Sequence, residues 1–277
     1  MTARRQPPAS MPAAVYCGPA EVAVEDRPVP RPGPGQALVE VSYCGVCGTD
    51  LHMIADGWGR PGTVFGHEYS GVVAAIGDGV VGWAVGDEVV GGPTPRCGAC
   101  RRCREGQPAQ CEDRGDVAGG HDGAFARYVL LDARALVRVP DGVGARDAAL
   151  AEPLAVALHG LTRAQFRLEA GFHQLRRGGR LVMVGAGVEP PAFDPNRMLL
   201  NELTVCGSFV YDEDGFDRAL ELLAAGAVPT DLLVEPDAVP LDRLGHAIGG
   251  LAGGTIAGKV MVVPRRAAVA PDEQEVR

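Results

Sequence analysis

Cys47, Thr49, Asp50 and His52, followed after a loop by Gly66-His67-Glu68, put a thiol, two imidazoles, a hydroxyl and two carboxylates into one strand-loop-strand neighbourhood. That is the ligand set of a divalent zinc, which takes sulfur, nitrogen and carboxylate oxygen. A zinc with three protein ligands keeps an open position, where it polarises a carbonyl or lowers the pKa of an alcohol. Thr49 then offers a hydroxyl to take that proton and pass it on. His52, of the residue type that titrates near neutrality, suits the exit end of such a relay.

Cys97, Cys100, Cys103 and Cys111 form a second set, with two residues between the first three and seven before the fourth. The stretch has almost no apolar side chains to bury, so a metal must close it. Its spacing fits a tetrahedral zinc held by four thiolates. Arg101, Arg102 and Arg104 beside these cysteines would offset the negative charge of such a site. Cys44 and Cys47 make a C-x-x-C pair, but on a strand they point to different sides, so Cys44 reads as packing. Cys17 and Cys206 read as ordinary buried thiols.

The elements that must hold these groups follow from composition and punctuation. The chain has 277 residues, 46% of them hydrophobic, with 39 glycines, 22 prolines and few aromatics, which favours many short strands and tight turns. A net charge of −9 offers no basic face, so nucleic acid is disfavoured as a partner. No apolar run reaches the roughly 18 residues of a membrane span, and Met1 to Ser10 lacks the apolar core of a signal peptide. The expectation is a cytoplasmic protein whose eight cysteines are ligands rather than disulfides.

Strands are predicted at Val15–Tyr16, Val22–Val24, Gln36–Tyr43, Gly71–Ile76, Glu88–Val90, Gly123–Leu131 and Ala135–Pro140, as an antiparallel barrel or sandwich. Gly77-Asp78-Gly79-Val80-Val81-Gly82 matches the dinucleotide fingerprint literally but leads into another strand, not a helix. It reads as a hairpin turn. Asp147 is expected to cap a short helix, and Pro153 to open a second one running to about Arg163, which leaves Glu152 at a helix entrance among apolar neighbours and in want of a cationic partner.

From Gln165 the pattern turns to alternating helix and strand: helix Leu168–Leu175, strand Arg180–Val184, helix Asp194–Leu203, strand Thr204–Val210 and helix Gly215–Ala225. These are parallel α/β units. Leu232–Glu235, a helix at Leu241–Leu251 and Lys259–Val263 complete the fold.

With Cys47-Gly48-Thr49-Asp50-Leu51-His52, Gly66-His67-Glu68, the four-cysteine lobe, Gly86-Asp87 and Glu152-Pro153-Leu154 in view, the chain resembles the zinc-dependent medium-chain dehydrogenases of the alcohol, sorbitol, butanediol and threonine type, over residues 12–264. The resemblance implies an α/β protein: a GroES-like β-barrel catalytic domain with two zincs per chain, plus a Rossmann-type parallel sheet for NAD or NADP. It implies Cys47, His67 and Glu152 as catalytic zinc ligands with Glu68 beside the metal, and Thr49 with His52 as the proton relay. Gly185 and Phe209 would touch the nicotinamide, and Lys259 the cofactor phosphates. Substrates would be small secondary alcohols or polyols, and the assembly a homo-oligomer.

One departure stands out. A six-stranded Rossmann domain takes well over 100 residues at roughly 20 to 25 per strand-helix unit, yet Pro153 to Val228 spans 76. The Gly-rich phosphate turn and the ribose-binding acid that follow the Glu152-Pro153 helix in the family have no counterpart here. Gly142-Val143-Gly144 and Gly185-Ala186-Gly187 do not supply them. The expectation is an internal loss of roughly seventy to eighty residues, joined between Ala164 and Ala170.

The resulting organisation is a tail at 1–12, a GroES-like domain at 13–155 with its zinc lobe at 96–112, a truncated Rossmann remnant at 156–229, a return to the catalytic domain at 230–264 and a tail at 265–277. Two functions stand against each other. One is a zinc- and NAD(P)-dependent alcohol or polyol dehydrogenase. The other is a catalytically silent zinc-binding remnant that cannot hold a dinucleotide.

Overall fold

The computed structural model describes residues 6–92, 97, 99–105, 110–112, 122–164, 175–185 and 191–265. Its first strands, β1 (Ser10–Gly18) and β2 (Glu21–Pro28), form an antiparallel ribbon. The expected tail at 1–12 is therefore corrected at its end. Ser10 pairs with Pro28, and Met11 is 3% exposed with its sulfur accepting the Tyr128 N–H at 3.3 Å. Local composition hid this because the partners of residues 10–12 lie far along the chain.

The main sheet is built on β3 (Gln36–Gly45), which pairs antiparallel with β4 (Glu68–Ile76) on one side. β5 (Glu88–Gly91), β6 (Tyr128–Asp132) and β7 (Leu136–Arg138) extend it, with β5 on β4, β7 on β5 and β6 on β3. The apolar residues of these strands, among them Leu38, Val41, Val73 and Val89, meet Tyr16 of β1 and Phe125, which precedes β6, in one core. The ladder of the described residues stays open, and β1 joins it through bridges from Ala13 to Ala126 and from Val15 to Val64. Residues 77–87 connect antiparallel β4 and β5 without a helix. The fingerprint-like glycines therefore make a turn and carry no phosphate site.

Short helices α1 (Gly48–Ile54), α2 (Arg101–Arg104) and α3 (Ala145–Ala148) precede the longer α4 (Ala151–Ala164). Gly144, not Asp147, occupies the cap of α3, because the helix starts one turn earlier than its acid suggests. Glu152 likewise lies inside the first turn of α4 rather than ahead of it. The helix expected at Leu168–Leu175 falls on residues outside the described ones, apart from Leu175, which is not helical.

Strands β8 (Arg180–Met183) and β9 (Thr204–Gly207) form a two-stranded parallel sheet, flanked in sequence by α5 (Pro195–Leu200) and α6 (Gly215–Ala224). β9 stops short of the expected Val210, which has a left-handed φ of 54°, a conformation that no strand continues through and that a β-branched residue rarely adopts. Helix α6 packs Phe216 and Leu220 against Ala151 and Ala155 of α4, forming a second core with Val90 and Val139.

Helix α7 (Thr230–Leu233) ends in Val234, which bridges to Lys259. The chain then returns through β10 (Val239–Pro240), α8 (Leu244–Ala252) and β11 (Met261–Val263). β11 pairs antiparallel with the end of β3, Met261 opposite Gly45 and Val262 opposite Cys44. All eight cysteines are free thiols. Cys44 is buried as expected, whereas Cys17 is exposed, because its strand is at that point leaving the core for the turn into β2. No helix among the described residues is long and apolar enough to cross a membrane.

Candidate metal centre

The register of β3 on β4 places Gly45 opposite Glu68, so the residues just after one strand and just before the other meet. Cys47 leaves the end of β3 as the cap of α1, and His67 enters β4. The ligand atoms of Cys47, His67 and Glu68 lie within 4.8 Å of one another. Two glycines make this approach possible. A Cβ on Gly45 would stand 2.4 Å from Glu68 Oε2. Gly66 has φ +94°, and a Cβ there would meet Cys44 Sγ at 2.8 Å and Phe125 N at 2.9 Å. Gly66→Ala is therefore expected to cost about 2 kcal/mol or more, from the left-handed backbone plus overpacking, and to displace His67. Unfolding by denaturant together with zinc content checks both effects.

β11 delivers Lys259 to the same place. Val46 N–H donates to the Val260 carbonyl at 3.0 Å, and the Lys259 ammonium donates to both Glu68 oxygens, at 2.9 and 2.7 Å, and to the Val46 carbonyl at 3.0 Å. The ammonium, expected from the resemblance at the cofactor phosphates, is thus engaged with Glu68 and Val46. Burial works against its charge, but Glu68 raises its pKa above the ordinary lysine value.

Glu152 comes in from the first turn of α4. That end of α4 is fixed by Leu150, which shares a small core with Met261 and Val234, and by Ser70, whose hydroxyl donates to the Ala145 carbonyl. Glu152 stands outside the compact set of Cys47, His67 and Glu68 but within their electrostatic reach. Burial pushes its carboxyl up to about 7, with His67 and Lys259 pulling down and Glu68 and Asp50 pushing up. Burial lowers the His67 imidazole, yet Asp50, Cys47 and Glu152 together raise it well past its usual range. A pocket that holds a proton on an imidazole in this way has the negative potential that a divalent cation seeks.

Asp50, counted from the sequence only as one carboxylate of the ligand set, stands behind His67 instead. It is 1% exposed, accepts the Cys47 N–H at 2.9 Å and lies 3.7 Å from His67 Nδ1. Burial raises its pKa while His67 lowers it. A carboxylate behind a ligating histidine fixes the ring and its tautomer. Its signal was available: Asp50 is the third helical residue after Cys47, in the position of a capping box, and that box is formed.

Thr49 and His52, expected as a relay from the resemblance, both lie on α1. Thr49 donates its N–H to Cys47 Sγ at 3.4 Å. His52 stands one turn further along α1 and stacks on Trp58 with ring centroids 4.8 Å apart. Asp56, missed from sequence, lies 2.6 Å from His52 Nδ1.

In the cysteine lobe the sulfurs of Cys97, Cys100, Cys103 and Cys111 all fall within 4.8 Å of one another, and Cys97 and Cys111 are 3.6 Å apart. Tetrahedral bonds of about 2.3 Å put sulfurs about 3.8 Å apart, so the four fit one zinc. Backbone N–H groups point at the sulfurs: Cys100 N donates to Cys97 Sγ at 3.2 Å and Cys103 N to Cys100 Sγ at 3.4 Å. Such bonds, from Cys103 and Glu112 first, lower the Cys100 thiol to about 6. The lobe favours thiolate, the form that binds metal.

Gly185 and Phe209 follow β8 and β9, whose ends are in register at Met183 and Gly207. They share the carboxyl end of a parallel sheet, the side on which such sheets bind ligands. Phe209 is 56% exposed there.

Residues 33–141 match a family model described as an alcohol dehydrogenase GroES-like domain. Among curated proteins the chain is 35% identical to the sorbitol dehydrogenase of Halalkalibacterium halodurans over 172 residues, 61% of this chain and 48% of that one. It is 38% identical to the L-threonine 3-dehydrogenase of Stenotrophomonas maltophilia over 141 residues, 49% of this chain and 42% of the relative. The chain spans about half the length of the curated relatives it matches. In fold it is similar to the cobalt- and zinc-bound thermostable alcohol dehydrogenase of Pyrobaculum aerophilum, with TM-score 0.80 and 23% identity, over 92% of this chain and 100% of that one. It is also similar to the 2R,3R-butanediol dehydrogenase of Bacillus subtilis, with TM-score 0.79 and 23% identity, over 92% and 100%.

Proposed function

Because the chain belongs to the zinc-dependent medium-chain dehydrogenase/reductase family, we propose that it is an oxidoreductase that moves hydride between a small secondary alcohol or polyol and NAD(P), with a catalytic zinc at Cys47, His67, Glu68 and Glu152 and a structural zinc at Cys97, Cys100, Cys103 and Cys111. The observation that carries this reading is the convergence of Cys47, His67 and Glu68 within 4.8 Å, with a fourth donor, the Glu152 carboxylate, in electrostatic reach of His67 and Glu68. A bound zinc supplies Lewis acidity to the alcohol oxygen, and a bound nicotinamide accepts the hydride.

The chain's own residues do the rest. Asp50 orients the His67 ring, and Lys259 neutralises Glu68 so that the pocket does not carry one anion too many. Glu152, whose pKa of about 7 reflects burial, is the donor that can trade a proton for a cation. Thr49 takes the hydroxyl proton and His52 carries it toward water. Gly185 and Phe209, at the carboxyl end of β8 and β9, face the nicotinamide. The protein works in the cytoplasm on small molecules, as a homo-oligomer.

A second reading is supported by one feature of the sequence: no Gly-rich phosphate turn follows the Glu152-Pro153 helix. On that reading the chain keeps both zincs but binds no dinucleotide. Titrating zinc-replete protein with NADH and NADPH by nicotinamide fluorescence separates the two. Saturable binding in the micromolar range, about −8 kcal/mol, followed by turnover of polyols, supports the dehydrogenase. Absence of binding at about 1 mM cofactor, with both zincs retained, establishes the silent remnant.

A further inference from the structure

Asp56 holds a carboxylate against the imidazole on which the proposed proton relay ends, and nothing in that relay yet uses it. Helix α1 stops at Ile54, and Gly57, with φ +77°, turns the chain back over the last helical turn. Two backbone bonds hold the returning segment: Asp56 N–H to the Leu51 carbonyl at 3.4 Å, and Trp58 N–H to the His52 carbonyl at 3.3 Å. The turn therefore brings two groups onto one ring. The Trp58 indole stacks on the imidazole at 4.8 Å with 19° between planes, and Asp56 Oδ2 sits 2.6 Å from Nδ1. Stacking fixes the plane of the ring; the carboxylate fixes which nitrogen faces it.

We infer that Asp56 is the positioning residue of the proton relay, holding His52 with its hydrogen on Nδ1 and its lone pair on Nε2. The inference rests on the reading of His52 as the exit of that relay. An ionised carboxylate only accepts, so the Nδ1 facing it must carry the hydrogen, and a neutral ring then has its lone pair on Nε2. That lone pair takes the proton arriving from the Thr49 hydroxyl, the ring becomes cationic beside Asp56, and loss of one N–H proton to water restores the neutral ring. No electron or further reactant is involved. Asp56 keeps 42% of its side chain exposed and His52 25%, so the pair lies at the boundary with solvent, where release must occur. The same logic fixes the histidine tautomer in carboxylate–histidine catalytic pairs.

Long-range 15N–1H NMR of the histidine rings, with His52 assigned through His52→Gln, reads the tautomer directly and needs no turnover. Wild type is expected to show the neutral ring protonated at Nδ1. Asp56→Ala is expected to lose that preference, and Asp56→Asn to lose it too, because its amide N–H can donate to Nδ1 and leave the ring hydrogen on Nε2. Alcohol oxidation is measured alongside: Asp56→Ala and Asp56→Asn should each lower kcat on the order of tenfold with KM little changed, and Asp56→Glu, which keeps a carboxylate, should recover part of the loss. A wild-type ring protonated at Nε2, or an unchanged tautomer in Asp56→Ala, overturns the positioning role even if the protein is an active dehydrogenase. An Asp56-dependent tautomer in a chain that oxidises no alcohol overturns instead the relay reading on which the role depends.

Discussion

Cys97→Ser is expected to halve the zinc content, from two ions per chain to one, and to unfold the cysteine lobe while leaving the main sheet in place. Among the described residues of the lobe, Cys111 alone is buried, so there is no apolar core to stand in for the metal. Structural zinc in small modules supplies about 10–16 kcal/mol of apparent binding free energy at neutral pH, all of which is folding energy where no other core exists. The effect stays local because the core around Leu38, Val73 and Phe125 includes no lobe residue. Elemental analysis with limited proteolysis reads both halves of the result. A variant that kept two zincs and a protease-resistant lobe would remove Cys97 from the ligand set.

Lys259→Met is expected to destabilise the zinc-free protein by about 3–5 kcal/mol, the usual cost of leaving one member of a buried ion pair uncompensated, and to lower its unfolding midpoint by about 10 °C. The reason is Glu68, whose side chain is 1% exposed and takes two of its hydrogen bonds from Lys259. Adding Glu68→Leu to the same chain should recover much of the loss, since replacing both partners by apolar groups is close to neutral.

The pH dependence follows from the raised Lys259 pKa. A lysine stabilised in the folded state contributes fully below its unfolded value of about 10.4 and loses that contribution as pH rises through the higher folded value. The gap between wild type and Lys259→Met should therefore be level from about pH 6 to 9 and narrow only in the alkaline range above. A loss under about 1 kcal/mol without zinc would mean that Lys259 does not hold the Glu68 charge; with zinc restored the loss should shrink, because the proposed metal position beside Cys47 and His67 lies within reach of Glu68.

Residue identity and spacing by themselves carried the chemistry proposed for this protein. Four thiols in a stretch without a core specify a closed metal site wherever the chain goes. Cys47 with Gly66-His67-Glu68 specifies soft and hard donors on either side of one loop, and the glycines between strands specify short antiparallel segments. The hairpin reading of Gly77 to Gly82 was legible for the same local reason: no helix-forming run follows it.

Tertiary structure alone decided the pairings between distant segments. Lys259 reads from sequence as a cofactor contact, but the pairing of β11 with β3 brings it across to Glu68, a partner 191 residues away. Residues 10–12 read as tail because their strand partners lie at Asp26–Pro28 and, through Met11, at Tyr128. Asp50 reads from sequence as one carboxylate of the ligand set, and Asp56 draws no reading at all. Their roles depend on which imidazole each one faces, and a helix cap and a left-handed glycine turn fix that geometry in three dimensions.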